Sequence, residues 1–124
     1  RIGFLELDAT SPAWPVRNGD YEVVLMSYLS GSVPGHTLNT LYTSALRALR
    51  PQGRLIVHDF MVDDSLTGPK LGALWALQHV TVNPEGVGLS PGDVSTRMLA
   101  AGFARTEGSE MIGGMTKLVI GHKP

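Results

Sequence analysis

Two carboxylates stand where apolar runs stop. Ile2, Phe4, Leu5 and Leu7 lead into Asp8, and Leu55-Ile56-Val57 leads through His58 to Asp59. Ligands of open α/β sheets bind beyond the carboxyl ends of strands. A polar side chain at such an end reaches a ligand without burying an unpaired charge. Asp59 is therefore the first candidate for a ligand site. Asp8 has a similar place, and its alternative is a turn carboxylate capping the backbone of Ala9 to Ser11. His58 adjoins Asp59 but alternates to the other side of the strand, so the two do not aim one way. His79 falls in a helical segment, and an imidazole titrates near neutrality, as a general base requires. The opposing reading of His79 is a surface or packing residue. His36 falls at a helix start and His122 near the terminus. No H-x-x-x-H or paired-carboxylate spacing suggests a metal.

The elements that must position these groups are legible from their periodicity. Ala48 to Asp59 reads as a helix end, a Pro51-x-Gly53 turn and a strand buried on both faces. Ile2–Leu7 reads as a strand, followed by loops carrying Pro12, Pro15 and an Asn18-Gly19 turn. Tyr21 to Leu29 is a second strand, running into the small-residue loop Ser30–Gly35. Leu38, Leu41, Ala45, Leu46 and Leu49 recur at helical spacing over Thr37 to Leu49. Asp63–Gly68 is a turn-rich loop. Pro69 opens a helix carrying Leu71, Leu74, Trp75 and Gln78, and Asn83–Gly86 closes that segment. Ser90-Pro91-Gly92-Asp93 combines a cap, a first-turn proline and an acid at the positive helix end. That helix carries Val94, Met98 and Leu99 and stops at Gly102, a left-handed C-cap. Phe103 to Met111 and Thr116 to Gly121 form a hairpin across Gly113-Gly114.

At 124 residues the chain is at most one domain, and 43% hydrophobic with 17% charged residues suits an ordinary globule. Ten basic and eleven acidic residues leave no electrostatic footprint for nucleic acid. No window approaches the ~18 apolar residues of a membrane span. The absence of cysteine excludes disulfides and thiolate metal sites and fits a reducing cytoplasm. Trp14 and Trp75 read as core or pocket wall rather than a stacking platform for nucleic acid. The chain starts without methionine and inside an apolar run, and is expected to be a piece of something longer.

From Ile2 onwards the chain resembles the C-terminal half of the catalytic domain of S-adenosylmethionine-dependent small-molecule O-methyltransferases of the plant phenolic and acetylserotonin type. The resemblance is carried by Ala48-Leu49-x-Pro51-x-Gly53-Arg54-Leu55-Ile56-Val57 with Asp59, by Gly68-Pro69, by Leu99-Ala100-Ala101-Gly102-Phe103, and by Lys117-Leu118-Val119-Ile120. It implies a partial Rossmann-like class I methyltransferase fold over residues 1–124. That fold is a mostly parallel α/β sheet with a C-terminal antiparallel hairpin, lacking the first two strands. Family sheets run third, second, first, fourth, fifth, seventh, sixth.

The resemblance also implies site residues. Asp8 matches the acid that binds the adenine amino group of S-adenosylmethionine. Ala9 lies where the adenine ring is covered, and Ser27 and Tyr28 end the strand alongside the cofactor. The family's histidine base falls on Gly31; of the two acids flanking it, one matches Asp59 and the other falls on Gly88. Trp75 and His79 lie where the family lines the acceptor pocket, and Asn83 matches a substrate-contacting asparagine. Asp59 and His79 are thus the expected catalytic pair for methyl transfer to a hydroxyl, or another nucleophilic atom, of a small aromatic molecule. Gly31 and Gly88 favour instead a non-catalytic relative kept for binding or dimerisation. A third reading is a different α/β domain sharing only the Pro-x-Gly turn and strand. No G-x-G-x-x-G turn occurs. The expected partners are an N-terminal portion supplying the first two strands, a second copy in a homodimer, and the small-molecule acceptor. Without that portion, the Ile2–Leu7 strand has no neighbour and is expected to be displaced, or the open edge covered by another molecule.

Overall fold

A computed structural model describes residues 2–78, 80 and 89–124. Strands β1 (Tyr21–Ser27), β2 (Leu49–Phe60), β3 (Arg105–Ile112) and β4 (Thr116–His122) form one sheet in the order β1-β2-β4-β3. The β1–β2 pairing is parallel; β2–β4 and β4–β3 are antiparallel. This matches the family order fourth, fifth, seventh, sixth. Helices α1 (Gly35–Ala48), α2 (Lys70–Gln78) and α3 (Pro91–Ala101), with a 3-10 turn at Ser30–Ser32, complete the described elements.

The core lies under one face of the sheet. Leu38, Leu41, Tyr42 and Ala45 of α1 and Val94 and Met98 of α3 pack on Met26, Leu55, Val57, Met61 and Val119. Arg97 fixes the two helices together by donating to the Gly35 carbonyl at 2.9 Å and to Asn39 Oδ1 at 3.0 Å. The α3 termini form as expected. Ser90 Oγ accepts from Asp93 N–H at 3.2 Å, and Gly102 is left-handed at φ 114°.

Three sequence expectations change. Ile2–Leu7 forms no strand; Phe4 is 96% exposed and Ile2 82%. A strand is stabilised by its ladder, and a free segment has no ladder to join. Second, the strand through Leu55–Val57 is fully buried on one face only. Leu55 and Val57 are buried, whereas Ile56 and His58 are half-buried and Leu25 of β1, on that same face, is 63% exposed. Third, the Pro-x-Gly turn is a bulge inside β2. Tyr21 pairs with Leu49 and Val23 with Arg54, so residues 50–53 are looped out. The left-handed residue there is Gln52 at φ 66°. Gly53 is required by crowding instead, since a Cβ on it would stand 2.9 Å from the Arg50 carbonyl oxygen and 3.1 Å from that of Glu22.

Candidate active site at the carboxyl ends of β1 and β2

Asp59 is the most deeply set of the described site residues, at 1% exposure. It shares the core face of β2 with Leu55 and Val57. Its Oδ2 accepts the Gly31 backbone N–H at 3.0 Å and its Oδ1 accepts that of Phe60 at 2.8 Å. Gly31 belongs to a single 3-10 turn, Ser30–Ser32, directly beyond β1. The next residue back, Ser30, is buried and its Oγ lies 3.2 Å from the Tyr42 hydroxyl, whose pKa is raised chiefly by burial. This pins the turn to α1. A Cβ at position 31 would lie 3.4 Å from Asp59 Oδ2, in ordinary contact. A larger side chain there would therefore adjoin the carboxylate. In this chain the only group that position 31 offers Asp59 is its backbone N–H, which is no proton acceptor.

Ser27 and Tyr28 close β1. Ser27 is exposed and Tyr28 is 46% exposed. The Tyr28 backbone is left-handed at φ 55°, a region that bulky residues enter only when the surroundings impose it. Its ring lies 4.9 Å from that of His58 and 5.4 Å from that of Phe60, and Phe60 in turn lies 4.5 Å from Trp75 of α2. An aromatic row thus runs from the end of β1 to α2 on the sheet face away from Asp59. Trp75 stands at the α2 end of this row.

Asp8 sits in an exposed turn. Thr10 donates to its Oδ1 from the backbone N–H at 2.9 Å and from the hydroxyl at 2.6 Å. These two bonds hold the Asp8 pKa below its usual range. The turn-carboxylate geometry foreseen from the sequence is therefore present. Both Thr10 bonds fall on Oδ1. The loop around Ala9 is anchored from below: Trp14 Nε1 donates to the Ala9 carbonyl at 2.9 Å, and Arg47 donates to the Pro12 carbonyl at 3.1 Å.

His79, Asn83 and Gly88 lie outside the described residues. His36, second in α1, is exposed. His122 is half-buried, with Nε2 2.7 Å from Glu107. Among the described residues no cluster of three metal-ligating side chains occurs. A cleft of about 340 Å³ lined by Arg54, Arg105, His122 and Lys123 lies at the amino end of β2, opposite the candidate site. Its Lys123 ammonium is already bound to the carbonyls of Leu46 and Leu49.

Sequence reasoning missed two features that shape the site. One is the bond between Ser27 Oγ and His58 Nδ1, 2.9 Å across neighbouring strands. The other is Lys117, opposite Asp59 on β4, which is buried and pairs with Asp63 at 2.9 Å and with Glu110. This cluster fixes the start of the loop between β2 and α2, and Asp64 fixes its next residue by accepting from Gly92 N–H at 2.7 Å. Strand alternation places Lys117 on the core face, but nothing in the sequence pattern names its partners.

No protein-family model matches the chain. The chain is 26% identical over 123 residues to the S-adenosyl-L-methionine-dependent methyl transferase PigF of Serratia sp., covering 99% of this chain and 34% of that protein. The structure of PigF with S-adenosylhomocysteine superposes with a TM-score of 0.80 at 23% identity, over 94% of this chain and 34% of the other. Human N-acetylserotonin methyltransferase, solved with S-adenosylmethionine, gives 0.82 at 18% identity over 97% of this chain and 33% of the other. An O-methyltransferase family protein of Burkholderia thailandensis gives 0.80 at 18% identity, over 99% and 36%. The chain spans about a third of the length of each of these proteins. Over its whole length it is therefore similar, in sequence and in fold, to the C-terminal third of S-adenosylmethionine-dependent methyltransferases of the O-methyltransferase type.

Proposed function

We propose that this segment is the C-terminal part of a methyltransferase catalytic domain, and that the polypeptide carrying it transfers a methyl group from S-adenosylmethionine to a hydroxyl of a small aromatic molecule. The observation that carries the reading is the seating of Asp59. A buried carboxylate at the carboxyl end of β2 is held by the N–H of the turn that follows β1, where the family keeps its proton-transfer group. Bound S-adenosylmethionine would supply an electrophilic methyl group. Asp8 would accept from the adenine amino group through Oδ2, with Ala9 beside the ring, and Ser27 and Tyr28 would flank the nucleoside. Asp8, Ser27 and Tyr28 are exposed, and Thr10 and Trp14 hold the turn that carries Asp8 and Ala9, which fits them to receive a ligand without reorganisation.

Gly31 cannot take a proton. Transfer then proceeds by holding an already nucleophilic acceptor against the methyl group, or through another base, for which His79 is the candidate. Trp75, His79 and Asn83 would line the acceptor side. The reading includes an N-terminal portion, supplying the strand that pairs with the free edge of β1, and a homodimer. It also places the protein in the cytoplasm; among the described residues no helix is long and apolar enough to cross a membrane. Gly31 supports a second reading, a relative that binds but does not catalyse.

Titration calorimetry of the complete polypeptide with S-adenosylhomocysteine tests the first step, with micromolar binding expected. A screen of phenols and catechols with labelled S-adenosylmethionine then separates enzyme from binding protein. Failure to bind would discard both readings. Binding without methylation of any acceptor would leave the second.

A further inference from the structure

His58 has no part in the mechanism above, yet it grips the end of β1 in three ways. Its Nδ1 stands 2.9 Å from Ser27 Oγ, its carbonyl oxygen accepts the Tyr28 N–H at 2.9 Å, and its ring meets the Tyr28 ring edge-on at an interplanar angle of 63°. Its other nitrogen, Nε2, is buried and has no hydrogen-bond partner among the described residues. Phenylalanine at this position would make the same ring contact and the same backbone bond. What only the imidazole adds among the described residues is the bond from Nδ1 to the Ser27 hydroxyl.

We propose that His58 is a positioning residue for the cofactor, fixing the Ser27 hydroxyl and the left-handed Tyr28 in the arrangement that receives the nucleoside of S-adenosylmethionine. This rests on the reading of Ser27 and Tyr28 as cofactor contacts. Ser27 is exposed, and its only side-chain bond among the described residues is the one to His58. Tyr28 is wedged between the His58 and Phe60 rings. Loosening His58 frees both residues at once while leaving the core face of β2, with Leu55, Val57 and Asp59, untouched.

The test is calorimetry with S-adenosylhomocysteine on the complete polypeptide, comparing His58→Phe, His58→Asn and Ser27→Ala. His58→Phe and Ser27→Ala are each expected to weaken binding about 5- to 10-fold, the loss of one hydrogen bond. The melting temperature of His58→Phe is expected to stay level, because the ring contact and the backbone bond are kept. His58→Asn, which keeps a hydrogen-bonding atom near Nδ1, is expected to recover most of the affinity. In turnover, KM for S-adenosylmethionine should rise while KM for the acceptor stays put. Unchanged affinity in His58→Phe overturns the proposal whatever Ser27→Ala does, as does an affinity loss that only follows falling melting temperature. Should His58→Phe not fold, His58→Leu, which likewise lacks Nδ1, takes its place. No binding by the unaltered polypeptide overturns the cofactor reading itself, and this inference falls with it.

Discussion

Replacing Gly72 with alanine sets helix propensity against packing, and the structure says which prevails. Gly72 is buried in α2 where the helix crosses the end of β2. A Cβ there would fall 2.9 Å from the Met61 carbonyl carbon and nearer still to its oxygen. Unstrained Cβ contacts begin near 3.4 Å, so α2 must retreat by at least about half an ångström. The obstacle is the Met61 backbone just past the end of β2, which cannot swing aside as a side chain can. Alanine gains about 1 kcal/mol over glycine inside a helix. Overpacking of this kind costs ~1–3 kcal/mol. The expected net loss is about 1 kcal/mol, read as a lower urea midpoint. Because α2 carries Trp75, the same retreat separates Trp75 from Phe60, now 4.5 Å apart. Fluorotryptophan at position 75, followed by fluorine NMR, should report the change. Ala73→Gly on the exposed side of α2 is the control, losing stability by propensity alone with the Trp75 signal unmoved. A Gly72→Ala protein at least as stable as its parent, with an unchanged Trp75 signal, would refute the close seating of α2 on Met61.

Asp59→Asn should destabilise by about 2 kcal/mol. One amide oxygen must replace two carboxylate acceptors, leaving a buried N–H of Gly31 or Phe60 facing an NH2 group. An unchanged urea midpoint would contradict the two bonds. Lys117→Met should alter stability on the alkaline side. Glu110 first, then Asp63, hold the Lys117 pKa above its usual value. A pKa raised by folding contributes stability that is complete below the unfolded value of about 10.4 and is lost as pH rises through the folded one. The parent protein's melting temperature should therefore fall more steeply above pH ~10 than that of Lys117→Met, with parallel curves between pH ~6 and ~9. Equal alkaline slopes would show that the ammonium contributes nothing.

Much of this molecule is dictated locally. Ser90, Pro91 and Asp93 start α3 and Gly102 ends it because capping geometry depends on a few adjacent residues. The apolar spacing of Leu38, Leu41 and Ala45 fixes which face of α1 is buried. The run Leu55-Ile56-Val57 marks a strand, and its end near Asp59 marks the proposed site, because strand ends in α/β sheets open onto a crevice.

Tertiary structure decided the remainder. Ile2–Leu7 has strand composition but no strand, since a ladder needs a neighbour and composition cannot supply one. Gly53 reads from the sequence as part of a Pro-x-Gly turn, whereas in the sheet Gln52 takes the left-handed position and Gly53 yields space to Arg50 and Glu22. Parallel register brought Ser27 beside His58, 31 positions away in the chain, and antiparallel register set Lys117 across from Asp59. Such pairings depend on how strands align, which is settled by burial over the whole sheet and not by any residue's own preference. The sequence alone thus determined the helices and the strand end proposed as the site, while only the assembled sheet determined which segments pair and which side chains meet there.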